Sequence, residues 1–359
     1  MKIAIVLGTR PEIIKMSPLI RACQAKKIGF FILDTGQHYS YGLSGKFFQE
    51  LDLPPANYNL GVGSLPYRQQ VGLMVKGIKK ILLKEKPDVV LVQGDTNSVL
   101  AGALAAKQVG IRLAHHEAGL RSNDLGMLEE INRIITDQLS DFLFAPTSQA
   151  LKNLREEGIS KEKIFLSGNT VVDAVHQNLK ISQQKVDVFK KLNIKKKQYI
   201  VVTAHRAENV DDKKKLSDII RGLSLVARKL NLSVIYPIHP RTRKNLKQFG
   251  LKSFSGSRLI PPLGYLEFLQ LESRAALIIT DSGGLQEEAC ILKIPCVTIR
   301  ENTERPETIQ AKVNILVGTN PERILAGAKK MLKQKINRWV NPFGQGDAAP
   351  KILNQLTKI

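Results

Sequence analysis

Residues 111–133 read IRLAHHEAGLRSNDLGMLEEINR. Ile111 to Ala114 starts as a short apolar run, the pattern of a buried strand. Gly119 and Gly126 then punctuate the chain. From Glu129 onward, Ile131, Ile134, Ile135 and Leu139 recur at helical spacing and mark one apolar face. Strand, glycine-bearing loop and helix in so short a span form the repeating unit of a parallel α/β sheet. The same stretch carries Glu117, Arg121, Asp124, Glu129, Glu130 and Arg133. A solvated face is the ordinary account of such charges, and Arg133 at i,i+4 from Glu129 predicts a simple helical pair. Several acids beside two arginines, directly after a buried strand, instead suggest proton-transfer groups in an anion-binding cleft.

Working outward, short β-branched runs alternate with helical segments along the whole chain. Strands are expected at 2–7, 30–34, 89–93, 112–115 and 142–144, then at 199–203, 233–237, 257–260, 276–280 and 296–299. With 359 residues the chain exceeds one ordinary core. It reads as α/β, with two doubly wound domains facing each other across a cleft. The expected divisions are 1–170, 171–340 and a C-terminal helix at 341–359.

Composition narrows the classes. A hydrophobic fraction of 43% and a charged fraction of 24% are those of a globular protein. No apolar run approaches a membrane span, and the initial Ile3 to Leu7 run is too short for a signal peptide. Cys23, Cys290 and Cys296 lack metal-ligand spacing and suit buried packing in a reducing cytoplasm. The net charge of +22 raises the question of nucleic acid. The lysines are scattered and aromatic residues make up only 6%. The charge therefore reads as surface solvation and attraction of an anionic substrate, with no nucleic-acid partner and no membrane insertion.

Charged and glycine-rich clusters follow the expected strands, where ligands bind in open α/β sheets. Arg10 and Lys15 follow the first strand, Asp95 the third and Glu117 the fourth; His205, His239 and Asp281 do the same in the second half. Residues 280–289, TDSGGLQEEA, run from strand to helix. Ser282, Gly283 and Gly284 would offer free amides to a phosphate, and Glu288 an acceptor for ribose hydroxyls; a capped helix with a glycine turn is the plain alternative. Asp95 reads equally as a helix N-cap, and His205 stands in a polar cluster with Arg206 and Glu208. Arg305 follows the last strand of this set. There is no metal-ligand cluster, no GxGxxG after the first strand and no Walker loop, so neither metal nor cofactor is expected.

Taken together, GTRPEIIKMSPL, TGQH, QGDTNS, HHEAGLRS, EEINR, FAPT, GNTVVDA, TAHRAEN, PIHP, DSGGLQEEA, ENTERPE and NPFGQGDA, in order from residue 8 to residue 348, resemble the non-hydrolysing UDP-N-acetylglucosamine 2-epimerases. The resemblance implies a GT-B-like fold and a likeness in function: interconversion of UDP-GlcNAc and UDP-ManNAc by elimination of UDP to 2-acetamidoglucal and re-addition. It implies Asp95, Glu117, Glu129 and His205 as catalytic residues, Glu129 matching the first glutamate of the family's pair. It implies Arg10, Lys15, Phe268, Ser282, Gly283, Gly284, Glu288 and Arg305 as nucleotide-sugar contacts, and a homodimer. Leu128 and Ala207 depart from the family's usual proline and arginine, and Tyr39-Ser40 from the form of members activated by UDP-GlcNAc. The alternatives are a 2-epimerase of a UDP-diacetamido uronic acid and a retaining glycosyltransferase of the same fold.

Overall fold

The computed structural model describes the chain except residues 38–40, 196, 252–255, 335–339 and 359, and the side chains of 41–44. The Tyr39-Ser40 departure and His38 of TGQH lie outside the described residues. Contacts divide the chain into two compact units, Met1–Gln177 with Phe343–Ile359, and Asn178–Pro342.

The first unit is built on seven parallel strands: β1 (Lys2–Leu7), β2 (Gly29–Asp34), β3 (Tyr58–Asn59), β4 (Val89–Gln93), β5 (Arg112–His116), β6 (Phe142–Ala145) and β7 (Ile164–Leu166). Their order is β3-β2-β1-β4-β5-β6-β7. The second unit holds β8 (Tyr199–Thr203), β9 (Ser233–Pro237), β10 (Ser257–Ile260), β11 (Leu277–Thr280), β12 (Cys296–Thr298) and β13 (Asn314–Leu316). Their order is β10-β9-β8-β11-β12-β13, again all parallel.

Helices cover both faces of such sheets, so their central strands are apolar throughout rather than alternating. Ile3 to Leu7, Val89 to Val92 and Ile200 to Val202 are buried almost completely, each such side chain contributing roughly 2 kcal/mol through burial. The ten expected strands are present to within a residue at each end. The strands not anticipated, β3, β7 and β13, have two or three residues each and include the edges of both sheets; so short a run carries no period.

The final helix, Ala348–Leu356, packs on Arg10–Ala25, which places the C-terminus in the first unit. Asp173 receives the Ala348 and Ala349 amides at 3.2 Å each and fixes where that helix begins. Cys23, Cys290 and Cys296 are buried free thiols. Among the described residues no helix is long and apolar enough to cross a membrane.

In each sheet the chain reverses its direction of winding once, between β1 and β4 and between β8 and β11. At such a switch point the following helices lie on opposite faces, leaving a crevice at the strands' carboxyl ends.

Candidate active site

In the first unit the crevice is bordered by the loops after β1, β4 and β5. Thr9 leads into the helix Arg10–Ala25, with a proline in its first turn. Glu12 folds back and accepts the Gly8 and Thr9 amides at 2.8 and 2.7 Å and the Thr96 hydroxyl at 2.6 Å. The loops after β1 and β4 are thereby tied together. Burial pushes Glu12 up to about 7 against the pull of those hydrogen bonds.

Glu117 stands just beyond β5 with φ of +67°, a left-handed conformation that non-glycine residues seldom adopt. Its carboxylate is buried and accepts from Lys15 Nζ at 2.6 Å, Asn169 Nδ2 at 2.7 Å and Gln93 Nε2. The helix after β1, the end of β4 and the loop after β7 therefore converge on one acid held by strain and by three donors. Strain of this kind persists where the surroundings over-determine it, and it clusters at functional sites.

The neighbouring His116 is fully buried, with Nε2 2.9 Å from the Thr170 hydroxyl. Burial is the main reason its ring is held down to about 4; Lys15 and His115 add to this and Glu117 opposes it. An unfolded histidine titrates near 6.5. Between those pH values the unfolded chain binds the extra proton, so stability present above pH 6.5 is lost on acidification. The full loss is on the order of 3 kcal/mol. His116→Gln is expected to flatten the fall in melting temperature between pH 7 and pH 5; a slope equal to the parent's would rule this origin out.

The charged loop after β5 divides by contact. Glu130 is buried and accepts the Ser122 amide at 3.1 and 2.9 Å, the Ser122 hydroxyl at 2.9 Å, the Asn123 amide at 3.0 Å and Arg133. Burial works to raise its pKa, but those amides and Arg133 hold it below the usual range. Glu129 is exposed in the first turn of Leu128–Leu139. The expected Glu129–Arg133 pair is thus corrected: Arg133 bridges Glu130 and Asp95, because the loop folds back over Glu130. Asp95 is not the N-cap of the next helix either; Thr96 occupies that position and accepts the Val99 amide.

Arg121 is likewise not an anion-binding group of the loop. It clamps Glu157 at 2.6 Å and Asp137 at 2.7 Å. Asp137 also meets His115 Nδ1 at 2.7 Å and the Gly119 amide at 3.0 Å, so this network secures the turn that presents Glu117. Arg10 is exposed at the helix start, its guanidinium 5.6 Å from the centre of the Phe47 ring.

In the second unit Asp281, fully buried just after β11, accepts the His205 and Arg206 amides at 2.9 Å each, and its other oxygen lies 3.2 Å from His205 Nδ1. Burial raises its pKa, but the bonds with His205 and Arg206 outweigh it and keep Asp281 below the usual carboxylate range. At that distance the carboxylate favours a proton on Nδ1. The His205 side chain is 43% exposed, and its ring lies 5.8 Å from that of His239.

The Gly283–Ile291 helix begins beside it. Ser282 makes no side-chain cap bond and its amide donates to the Thr280 hydroxyl at 2.9 Å, while a Cβ on Gly284 would meet nothing within 4 Å. Arg305 donates to Glu287 at 2.6 Å and to the Glu304 carbonyl at 2.9 Å. Arg300 gathers Glu208, Glu304 and Asn302 at 2.8 to 3.1 Å. Burial would raise Glu304, but Arg300 and Arg206 bring it down to about 2. Phe268 is half-buried on the helix Tyr265–Glu272, and Glu288 is half-buried on Gly283–Ile291.

The candidates therefore form two groups, each within one unit: Arg10, Lys15, Asp95, Glu117 and Glu129, and His205, Phe268, Ser282, Gly283, Gly284, Glu288 and Arg305. Reading the sequence missed Gln93, Asn169 and Arg300 as supporting residues. Their signal was a polar residue at or just beyond the end of a strand, and Gln93 and Asn169 stand outside any charged run.

The family model described as UDP-N-acetylglucosamine 2-epimerase matches residues 21–357. The UDP-N-acetylglucosamine 2-epimerase of Methanocaldococcus jannaschii is 53% identical over 363 residues, covering 99% of each chain. The chain belongs to the UDP-N-acetylglucosamine 2-epimerase family. A solved structure of the M. jannaschii UDP-GlcNAc 2-epimerase, in complex with UDP-GlcNAc and UDP, matches this family member with a TM-score of 0.88 at 53% identity over 100% of both chains. The UDP-2,3-diacetamido-2,3-dideoxy-D-glucuronate 2-epimerase of Pseudomonas aeruginosa is 39% identical over 363 residues, 100% of each chain. The expected architecture of two parallel α/β sheets, as in GT-B-like epimerases, is the one observed.

Proposed function

We propose that the protein interconverts UDP-GlcNAc and UDP-ManNAc. The end-to-end 53% identity to the M. jannaschii enzyme carries this reading; the lower 39% identity to the diacetamido-glucuronate enzyme places that substrate second. A proton leaves C2 to a protein base, the C1–O bond breaks with its electron pair departing on UDP, and 2-acetamidoglucal remains. UDP then re-adds at C1 while a proton returns to C2 from the opposite face.

Each step needs groups of the kind found at the strand ends. Asp95, Glu117, Glu129 and His205 supply and remove protons. Glu117 is the best prepared of the acids, since its donors and its backbone allow it one orientation. Lys15, 2.6 Å from Glu117, brings positive charge to the place where the proton moves. Arg10, Arg305, the Ser282 hydroxyl and the amides of Gly283 and Gly284 receive the charge that grows on UDP. Phe268 packs on the uracil, and Glu288 accepts from the ribose.

We read the enzyme as a cytoplasmic homodimer serving polysaccharide biosynthesis. The buried free cysteines suit a reducing compartment. Exposed Leu73 and Ile135, on helices joined by the Tyr67–Asn132 hydrogen bond of 2.7 Å, suit a subunit contact.

Proton NMR of the protein with UDP-GlcNAc in D2O is expected to show UDP-ManNAc appearing with deuterium at C2 of both sugars. Free ManNAc with UDP would indicate hydrolysis instead. An unchanged spectrum would reject UDP-GlcNAc as substrate.

A further inference from the structure

Glu272 ends the helix Tyr265–Glu272, and its side chain is completely buried. Among the described residues no donor forms a hydrogen bond to either of its carboxyl oxygens. It lies within the second unit among Tyr199 of β8, Cys296 of β12 and Glu288 of the Gly283–Ile291 helix. Tyr199 gives its hydroxyl proton to the Leu271 carbonyl at 2.5 Å and has none for Glu272. The charged group that faces Glu272 is another acid, Glu288.

An ionised carboxylate without donors, beside a second carboxylate, is among the costliest arrangements in a protein interior. Burial first, and then Glu288, raise Glu272 well above the usual carboxylate range. Glu272 therefore keeps its proton, and a buried acid O–H requires an acceptor. Phe268 stands one turn before Glu272 on the same helix face, so one short helix sends both residues toward the same neighbours.

We propose that Glu272 is a positioning residue for nucleotide binding: its protonated carboxyl donates to the Glu288 carboxylate, leaving that carboxylate charged and turned toward the ribose hydroxyls. This rests on Glu288 holding the ribose. The Glu272 proton occupies one Glu288 oxygen and so fixes the rotamer in which the carboxylate meets the ligand. Glu288 thereby presents a fixed, charged acceptor to a vicinal diol.

Titration calorimetry with UDP and 2′-deoxy-UDP, on the parent and on Glu272→Leu, Glu272→Gln and Glu288→Gln, tests the pairing. Glu272→Leu replaces a buried acid pair with an apolar side chain and is expected to leave the melting temperature unchanged or raise it. It should nevertheless weaken UDP about tenfold, the scale of one charge-assisted hydrogen bond, and narrow the preference for UDP over 2′-deoxy-UDP. Glu272→Gln, whose amide still donates, should bind UDP within about twofold of the parent. A merely structural role would not lower affinity while stability holds. If Glu288→Gln loses the ribose preference but Glu272→Leu keeps it, the pairing is wrong. If neither variant changes it and the parent shows no preference, the placement of ribose on Glu288 is wrong.

Discussion

Glu117→Gln is expected to lower turnover by about a thousandfold, or about 4 kcal/mol of barrier, while UDP binds nearly as before. The amide keeps the shape of the side chain but removes the charge and half of its acceptor capacity. In the parent, one carboxylate serves Lys15, Asn169 and Gln93 together. A glutamine presents an NH2 to at least one of these donors, so that contact must be lost or rearranged. Steady-state epimerisation together with UDP calorimetry separates the two effects. Near-parental turnover would remove Glu117 from the chemistry; lost UDP affinity with unchanged turnover would make it a binding residue.

Gly119→Ala is expected to be the most damaging small substitution in the first unit, costing about 3–5 kcal/mol. Gly119 has φ of +79°, and a Cβ there would lie 2.2 Å from the Ala150 carbonyl oxygen, a backbone atom that cannot rotate away. Its own amide and carbonyl are both committed, to Asp137 at 3.0 Å and to Asn153 at 2.9 Å. Two residues upstream stands the strained Glu117, so relief at residue 119 disturbs the turn that presents the acid. Thermal unfolding should show a fall in melting temperature of about 10 °C or more, with turnover reduced even where the protein stays folded. A melting temperature within a degree or two of the parent's would show that the helix Ser148–Glu156 yields, and that the close approach is not essential.

The two predictions differ in how much of them the amino-acid sequence discloses. Glu117 stands out at once, as an acid immediately after a buried strand. Gly119 also stands out, but as a turn residue like any other glycine; its intolerance of a methyl group depends on Ala150, which another helix brings to it.

Local chemistry made the alternation of strands and helices legible, because a strand buried on both faces must be apolar along its whole length. It equally revealed the charged clusters as candidate sites, since ligands of parallel α/β sheets bind at the carboxyl ends of the strands. Strands of two or three residues, such as Tyr58–Asn59 and Asn314–Leu316, stayed hidden because pairing with a neighbour, not composition, makes them strands. Tertiary structure alone decided which charges pair. Lys15 meets Glu117 across 102 positions and Asp95 meets Arg133 across 38, whereas helical spacing had matched Arg133 to Glu129. It also decided that Glu130 is buried while Glu129 faces solvent, and that Glu272 lies against Glu288. Hydrophobic period and turn chemistry act over a few residues and can be read in order along a chain. The partner of a buried charge is whatever group the packed fold brings within reach, and local sequence does not encode that distance.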